Sequence, residues 1–302
     1  MVGLIAGSGQ DDPAGTTDTA EPPASRGGGR APAEAARLPL ERRVGELLVM
    51  SFDGPTAPGY IVRRLRSGEG TGVILFAKNA PDAASLRSLT GGLQRAAGGA
   101  ALVMTDQEGG DIRTLPFSPP EASQGRQGSV DVVTASARDA ARGLRAGGVN
   151  VNLAPVGDVA DSLGSVVAGR AFPGGGREVA ELTAASIRAH GRERVGATAK
   201  HFPGLGRATE NTDDTSVTVP ASRAELEGTD LLPFTAAVRA GTPLVMSSHA
   251  LYPALDRSRI ASQSPAILKG LLRGRLDFDG AVVTDSIEAQ AVLDRSAVGV
   301  AA

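Results

Sequence analysis

The chain has 302 residues, 41% hydrophobic and 21% charged, which is ordinary globular usage and enough for one large domain or two small ones. Lys and Arg number 31 against 33 Asp and Glu, so the formal charge is -2 and the basic excess of a nucleic-acid binder is missing. With no cysteine, disulfides, zinc–thiolate sites and a thiol nucleophile are excluded, and three histidines (His190, His201, His249) leave little room for a histidine-built metal site. No apolar run approaches the ~20 residues that span a bilayer. Aromatic residues are only 3%, so the core must be filled by Val, Leu, Ile and Ala, which suits buried parallel strands.

Residues 1–39 read as an N-terminal arm. From Gly7 to Pro39 the chain is rich in Gly, Ala, Pro, Thr and Asp, with almost no large apolar side chain whose burial could offset ordering. The start, MVGLIAG, lacks the basic beginning and the length of a secretory signal. Beyond the arm, a barrel domain over 40–302 is predicted from one repeating pattern. Short continuous apolar runs, the mark of strands covered on both faces, fall at Leu47–Phe52, Gly72–Phe76, Ala101–Thr105, Val149–Ala154, Gly196–Lys200, Pro243–Ser248 and Gly280–Thr284.

Helices are expected between the strands. Leu86, Leu89 and Leu93 recur at helical spacing, and Ala135–Leu144 is a small-residue helix stopped by Gly147 and Gly148. Val179, Leu182 and Ile187 mark a further helix, and Ser264-Pro265 is a cap with proline at the first turn of Ala266–Leu276. Alternating β and α units imply an α/β fold with a parallel sheet. Polar residues collect after five different strands: Asp106–Gly110, Pro155–Asp158, Lys200–Gly204, Ser247–His249 and Asp285-Ser286. A (β/α)8 TIM-type barrel converges all strand ends on one mouth, whereas a doubly wound sheet would use its switch-point loops, and neither GxGxxG nor a P-loop occurs. Seven units are counted, with 17 residues after Asp285, so the eighth β/α unit is expected to be missing from this sequence.

The stretches VMTDQEGGDIRTL, VNLAPVGDV, GRAFPG, AKHFPGLG, VMSSHALYPALD and LRGRLDFDGAVVTDSIEA occur in this order over roughly Leu40–Val292. Together they resemble the barrel domain of family 3 glycoside hydrolases, in particular the β-N-acetylglucosaminidase branch. KHFPG and FDGAVVTDS are the most specific of these motifs. The resemblance implies a retaining hydrolase that forms a covalent glycosyl-aspartate on Asp285 and needs neither cofactor nor metal, since two carboxyl groups suffice. It implies substrate contacts for Asp106, Arg170, Lys200 and His201, with His249 a further candidate. The expected partner is an oligosaccharide or glycoside, with no nucleic acid and no transmembrane segment.

The chain departs from the branch at its general acid. The Asp-Ser-His triplet of the branch is replaced by Asn211-Thr212-Asp213, 11 to 13 residues beyond Lys200, and the second histidine of KHFPGHG is Leu205. Two readings follow. Either Asp213 is the acid/base, oriented by Asn211, with Glu210 and Asp214 as fallback acids, or the loop has lost its proton donor and the chain is a non-catalytic sugar binder. The Asn-Thr-Asp form resembles actinobacterial members, which favours activity. Arg113 stands one place earlier than the branch's arginine, and on a strand that turns a side chain to the other face. Terminal β-linked N-acetylglucosamine from chitin- or peptidoglycan-derived saccharides is the expected substrate, with β-glucoside or β-xyloside cleavage as the alternative. The arm resembles the spacer of exported members, so a secreted or cell-envelope location is expected, with the cytoplasm as alternative.

Overall fold

The computed structural model describes residues 35–295. Most of the expected arm (1–34) and the last seven residues (296–302) lie outside the described residues. All seven expected strands form: β1 (Val49–Met50), β2 (Gly72–Ile74), β3 (Leu102–Thr105), β6 (Val151–Asn152), β7 (Gly196–Phe202), β8 (Leu244–Ser247) and β9 (Ala281–Thr284). They make one parallel sheet in the order β1-β2-β3-β6-β7-β8-β9, each beside its predecessor. Between β3 and β6 lies a hairpin where the sequence pattern shows only a loop, with β4 (Gln107–Gly109) antiparallel to β5 (Ile112–Arg113). Gly109 and Gly110 turn it at φ of +98° and +61°. A Cβ on Gly109 would meet the Ala122 carbonyl oxygen at 2.3 Å, so only glycine fits.

Alternation along the strands sorts their side chains into two layers. Val73, Val103 and Val149 face one way and pack with Leu86, Leu89, Leu93 and Leu144 from the helices. Ile74, Met104, Val151, Leu244, Met246 and Val283 face the other way into a single cluster that also contains Val49. Val49 belongs to the first strand of the sheet and Val283 to the last. Strands from the first to the last thus share one inner apolar cluster, the packed interior of an incomplete (β/α)8 barrel wall.

The helices cover the outer layer: α1 (Leu40–Gly45), α2 (Gly59–Ser67), α3 (Ala83–Ala96), α4 (Val130–Ala146), α5 (Gly176–Arg192), α6 (Leu231–Arg239), α7 (Ala266–Arg275) and α8 (Gln290–Leu293). Asp82 caps α3 by accepting from the N–H groups of Ala84 and Ser85, both at 2.8 Å. Helix α4 buries Ala137, Ala140, Ala141 and Leu144 and stops at Gly147 and Gly148, as its small-residue stripe predicts. Ser264 Oγ caps α7 by accepting the Ile267 N–H at 3.2 Å, but α7 winds with wider π spacing rather than as the expected α-helix. Leu144 is fully buried under β2 and β3, so Leu144→Ala is expected to cost about 2–5 kcal/mol through lost transfer energy and a residual cavity. Urea unfolding of the variant measures this.

Candidate active site

The DQE run splits by strand alternation. Gln107 turns away from the mouth: its Nε2 donates to the carbonyls of Leu115, Ser118 and Pro119 at 2.9–3.1 Å, and its Oε1 accepts from Leu115 N at 2.9 Å. Asn152 then ties the hairpin to β6, its Oδ1 accepting from Gln107 N at 3.0 Å and its Nδ2 donating to Gln107 O at 3.2 Å. The same amide lies 3.0 Å from His190 Nε2, while His190 Nδ1 lies 2.9 Å from Ser186 O. Burial holds the His190 ring below its ordinary pKa, so Nδ1–H donates to the carbonyl and Nε2 accepts from Asn152. His190 is therefore a structural histidine.

On the other face of the same run, Asp106 and Glu108 point together at Lys200. Lys200 Nζ lies 2.5 Å from Asp106 Oδ1 and 2.6 Å from Glu108 Oε1, and its side chain is only 2% exposed. Arg170 closes the group with a two-pronged contact to Glu108, Nη2 to Oε1 at 2.7 Å and Nε to Oε2 at 2.9 Å. Burial alone pushes the Glu108 carboxyl up, but the combined pull of Lys200 and Arg170 brings it down to about 2. Burial likewise works against the Lys200 ammonium, and Asp106 with Glu108 more than restore it. A buried ammonium and a half-buried guanidinium thus meet two carboxylates, and Asp106 and Arg170 keep part of their surface open.

His201 and Asp285 make the second group. His201 Nδ1 sits 2.7 Å from Asp158 Oδ2, and its Nε2 faces Asp285 Oδ2 at 3.9 Å. Asp285 follows β9, and its Oδ1 accepts from Ser286 N at 2.8 Å. Burial raises the Asp285 carboxyl, yet the charges of His201 and Lys200, the Ser286 N–H and His249 together hold it below the usual range, so it stands ionised. His249 is buried with Nδ1 2.7 Å from Ser262 Oγ, and its Nε2 has no hydrogen-bond partner among the described residues.

The Asn-Thr-Asp loop is docked beside this group. Gln290 N donates to Asp213 O at 3.0 Å and Ala291 N to Thr212 O at 3.1 Å, while Ser216 Oγ donates to Asp294 Oδ2 at 2.8 Å. These bonds fasten the loop to the segment that follows Asp285. Asn211 Nδ2 reaches Asp213 Oδ2 at 3.4 Å and its Oδ1 accepts from Asp213 N at 3.1 Å. Surrounding protein and then the Asp285 charge push the Asp213 carboxyl above its ordinary value, against the Asn211 contact. Leu205 is buried among Phe202, Ala208 and Val217, an apolar niche in which an imidazole would need a partner. Glu210, Asn211, Asp213 and Asp214 are all exposed. Arg113 turns toward the segment after its hairpin, with Nε donating to Ser118 O at 2.9 Å.

Two carboxylates that organise these groups are not among the expected site residues. Glu108 shares the strand face of Asp106, two residues away, which a period of two could have shown. Asp158, which ends the polar run Pro155–Asp158, pairs with His201. Arg170, expected as a substrate contact, pairs with Glu108. Among the described residues no group of three or more His, Cys, Asp or Glu is arranged to hold a metal ion.

This arrangement, ionised Asp285 beside cationic and polar groups suited to gripping hydroxyls, sits at the strand ends of a curled parallel sheet. The sequence pattern of the glycosyl hydrolase family 3 N-terminal domain matches residues 39–301. The chain belongs to glycosyl hydrolase family 3. As a member it is an O-glycosyl hydrolase. It is 34% identical over 226 residues to a beta-hexosaminidase of Stenotrophomonas maltophilia, covering 72% of this chain and 67% of that one. It is 34% identical over 269 residues to an uncharacterized secreted glycosyl hydrolase of Arthroderma benhamiae, covering 85% and 76%. A family 3 beta-N-acetylglucosaminidase from Paenibacillus sp. strain FPU-7 superimposes with a TM-score of 0.81 at 33% identity. That match covers 85% of this chain, which spans about half (51%) of the Paenibacillus protein. A beta-N-acetylhexosaminidase from Beutenbergia cavernae gives a TM-score of 0.74 at 34% identity, covering 86% and 82%. No helix among the described residues of this family 3 hydrolase is long and apolar enough to cross a membrane.

Proposed function

We propose that this family 3 hydrolase removes terminal β-linked N-acetylglucosamine from chitin- or peptidoglycan-derived saccharides with retention of configuration. The observation that carries the reading is the opposite displacement of two neighbouring carboxyls: Asp285 is held down and ionised, Asp213 is pushed up toward its acid form. Divergent acidities of this kind are what a nucleophile and an acid require. In the first step Asp285 Oδ bonds to the anomeric carbon as the glycosidic C–O bond breaks, and Asp213, steadied by Asn211, gives its proton to the leaving oxygen. In the second step water attacks that carbon, Asp213 takes the water's proton and Asp285 leaves as carboxylate. Asp106, Arg170, Lys200, His201 and His249 would contact the sugar, and no cofactor or metal takes part.

A 2-fluoro sugar with an activated leaving group should trap the intermediate, and the labelled peptide should contain Asp285; a label elsewhere ends this assignment. Turnover of nitrophenyl N-acetylglucosaminide should exceed that of the glucoside and xyloside, and the reverse order would move the substrate to those sugars. Asp213→Asn should lower kcat by about 10²- to 10⁴-fold on poor leaving groups and far less on dinitrophenyl glycosides, which need little protonation. Steady-state rates across a leaving-group series check this. The composition of residues 7–39 and the secreted relative support work outside the cytoplasm. Fractionation of the producing cells tests that.

A further inference from the structure

We propose that Asp158 is a positioning residue for the reaction, acting through His201: it fixes the proton on Nδ1, so that the Nε2 facing Asp285 can donate only from a positively charged ring. The inference rests on the role given above to Asp285. Asp158 is fully buried, and its two oxygens are taken by three nitrogens. Oδ2 meets His201 Nδ1 at 2.7 Å, while Oδ1 accepts from the backbone N–H of His201 at 3.1 Å and of Leu205 at 2.7 Å.

A loop anchor would need only the two backbone contacts. The third fixes the side chain those contacts already place. Because the carboxylate is an acceptor, Nδ1 must be the donor, and the neutral ring then presents a bare lone pair at Nε2 toward the carboxylate of Asp285. With a second proton, on Nε2, the ring becomes an imidazolium between Asp158 and Asp285. In that form Nε2–H can hold Asp285 ionised, or donate to a sugar hydroxyl, with a full charge behind it. The other groups around Asp285 are Lys200, His249 and Asp213, and those that sense Asp158 are Arg170, Asp230 and Tyr252.

Asp158→Asn separates charge from anchorage. The amide oxygen of the substituted side chain can still accept both backbone N–H groups, which turns its NH₂ toward Nδ1 and forces the neutral ring with its proton on Nε2. The experiment labels histidine nitrogens with ¹⁵N in the full chain. With only three histidines, a His201→Gln sample assigns the His201 signals. The expected wild-type result is a neutral ring that carries its proton on Nδ1. In Asp158→Asn the Nδ1 proton should be lost, and kcat/KM on nitrophenyl N-acetylglucosaminide should fall about 100-fold, mostly in kcat. A bare Nδ1 in the wild type overturns the proposal, as do His201 signals and kcat unchanged in the variant. The wild-type spectrum decides the matter if the variant does not fold. It also does so if the wild type proves inert, an outcome that would count against the Asp285 reading rather than against Asp158.

Discussion

Asp285→Asn is expected to lower kcat/KM by about 10⁴-fold or more while leaving the folded structure intact. The two side chains have the same shape, and the amide oxygen can still accept the Ser286 N–H that now meets Oδ1 at 2.8 Å. A third of the side chain is open to the mouth, so no packing is lost. The amide has no charge with which to form a glycosyl ester, and the cationic surroundings that keep Asp285 ionised have nothing to act on. Asp285→Ala adds a second readout. Azide supplied in solution can enter the vacated position and attack the anomeric carbon, releasing a glycosyl azide of inverted configuration. Kinetics with nitrophenyl N-acetylglucosaminide, with product configuration read by NMR, check both variants. Retention of more than a few per cent of wild-type activity by either would remove Asp285 from the nucleophile's role.

The fold was legible because β3 and β8 hold continuous Leu, Val and Met runs of the kind a strand covered on both faces carries, and the other strand segments repeat the pattern. The hairpin around Gly109 and Gly110 was not, since two- and three-residue strands carry too little pattern to separate from a turn. The π spacing of α7 is likewise invisible, as Ser264, Pro265 and the apolar positions read the same for either helix. At the mouth, the spacing from Lys200 found Asn211 and Asp213, but nothing local shows that Gln290 and Ala291 hold their loop. Such contacts join residues remote in the chain and leave no periodic trace. Glu108 and Asp158 were hidden differently. Each is a charge whose partner, Lys200 with Arg170 or His201, comes from another strand or loop, so its burial becomes reasonable only once the sheet has curled.

Glu108→Gln should have the largest effect on stability, about 3–5 kcal/mol near neutral pH, because it strips charge from a buried group that two cations depend on. Glu108 is 1% exposed and receives Lys200 and Arg170 directly. A glutamine amide offers one acceptor oxygen where the carboxylate offers two, and its NH₂ would face a guanidinium or an ammonium. The same pair gives the wild type a recognisable acid response. Burial opposes ionisation of Glu108, but Lys200 and Arg170 bring its carboxyl from 4.5 to about 2 in the folded state. A folded value below the unfolded one means the stabilisation is complete above about pH 4.5 and drains away as pH falls toward 2, about 3 kcal/mol in all. Urea unfolding across that window should show the wild type weakening faster than Glu108→Gln, so that the two curves converge on the acid side. Parallel curves would mean that Glu108 is not the carboxylate on which Lys200 and Arg170 rely. On the proposed reading, the groups that would grip sugar hydroxyls are less firmly placed in the variant, so KM should rise alongside the lost stability.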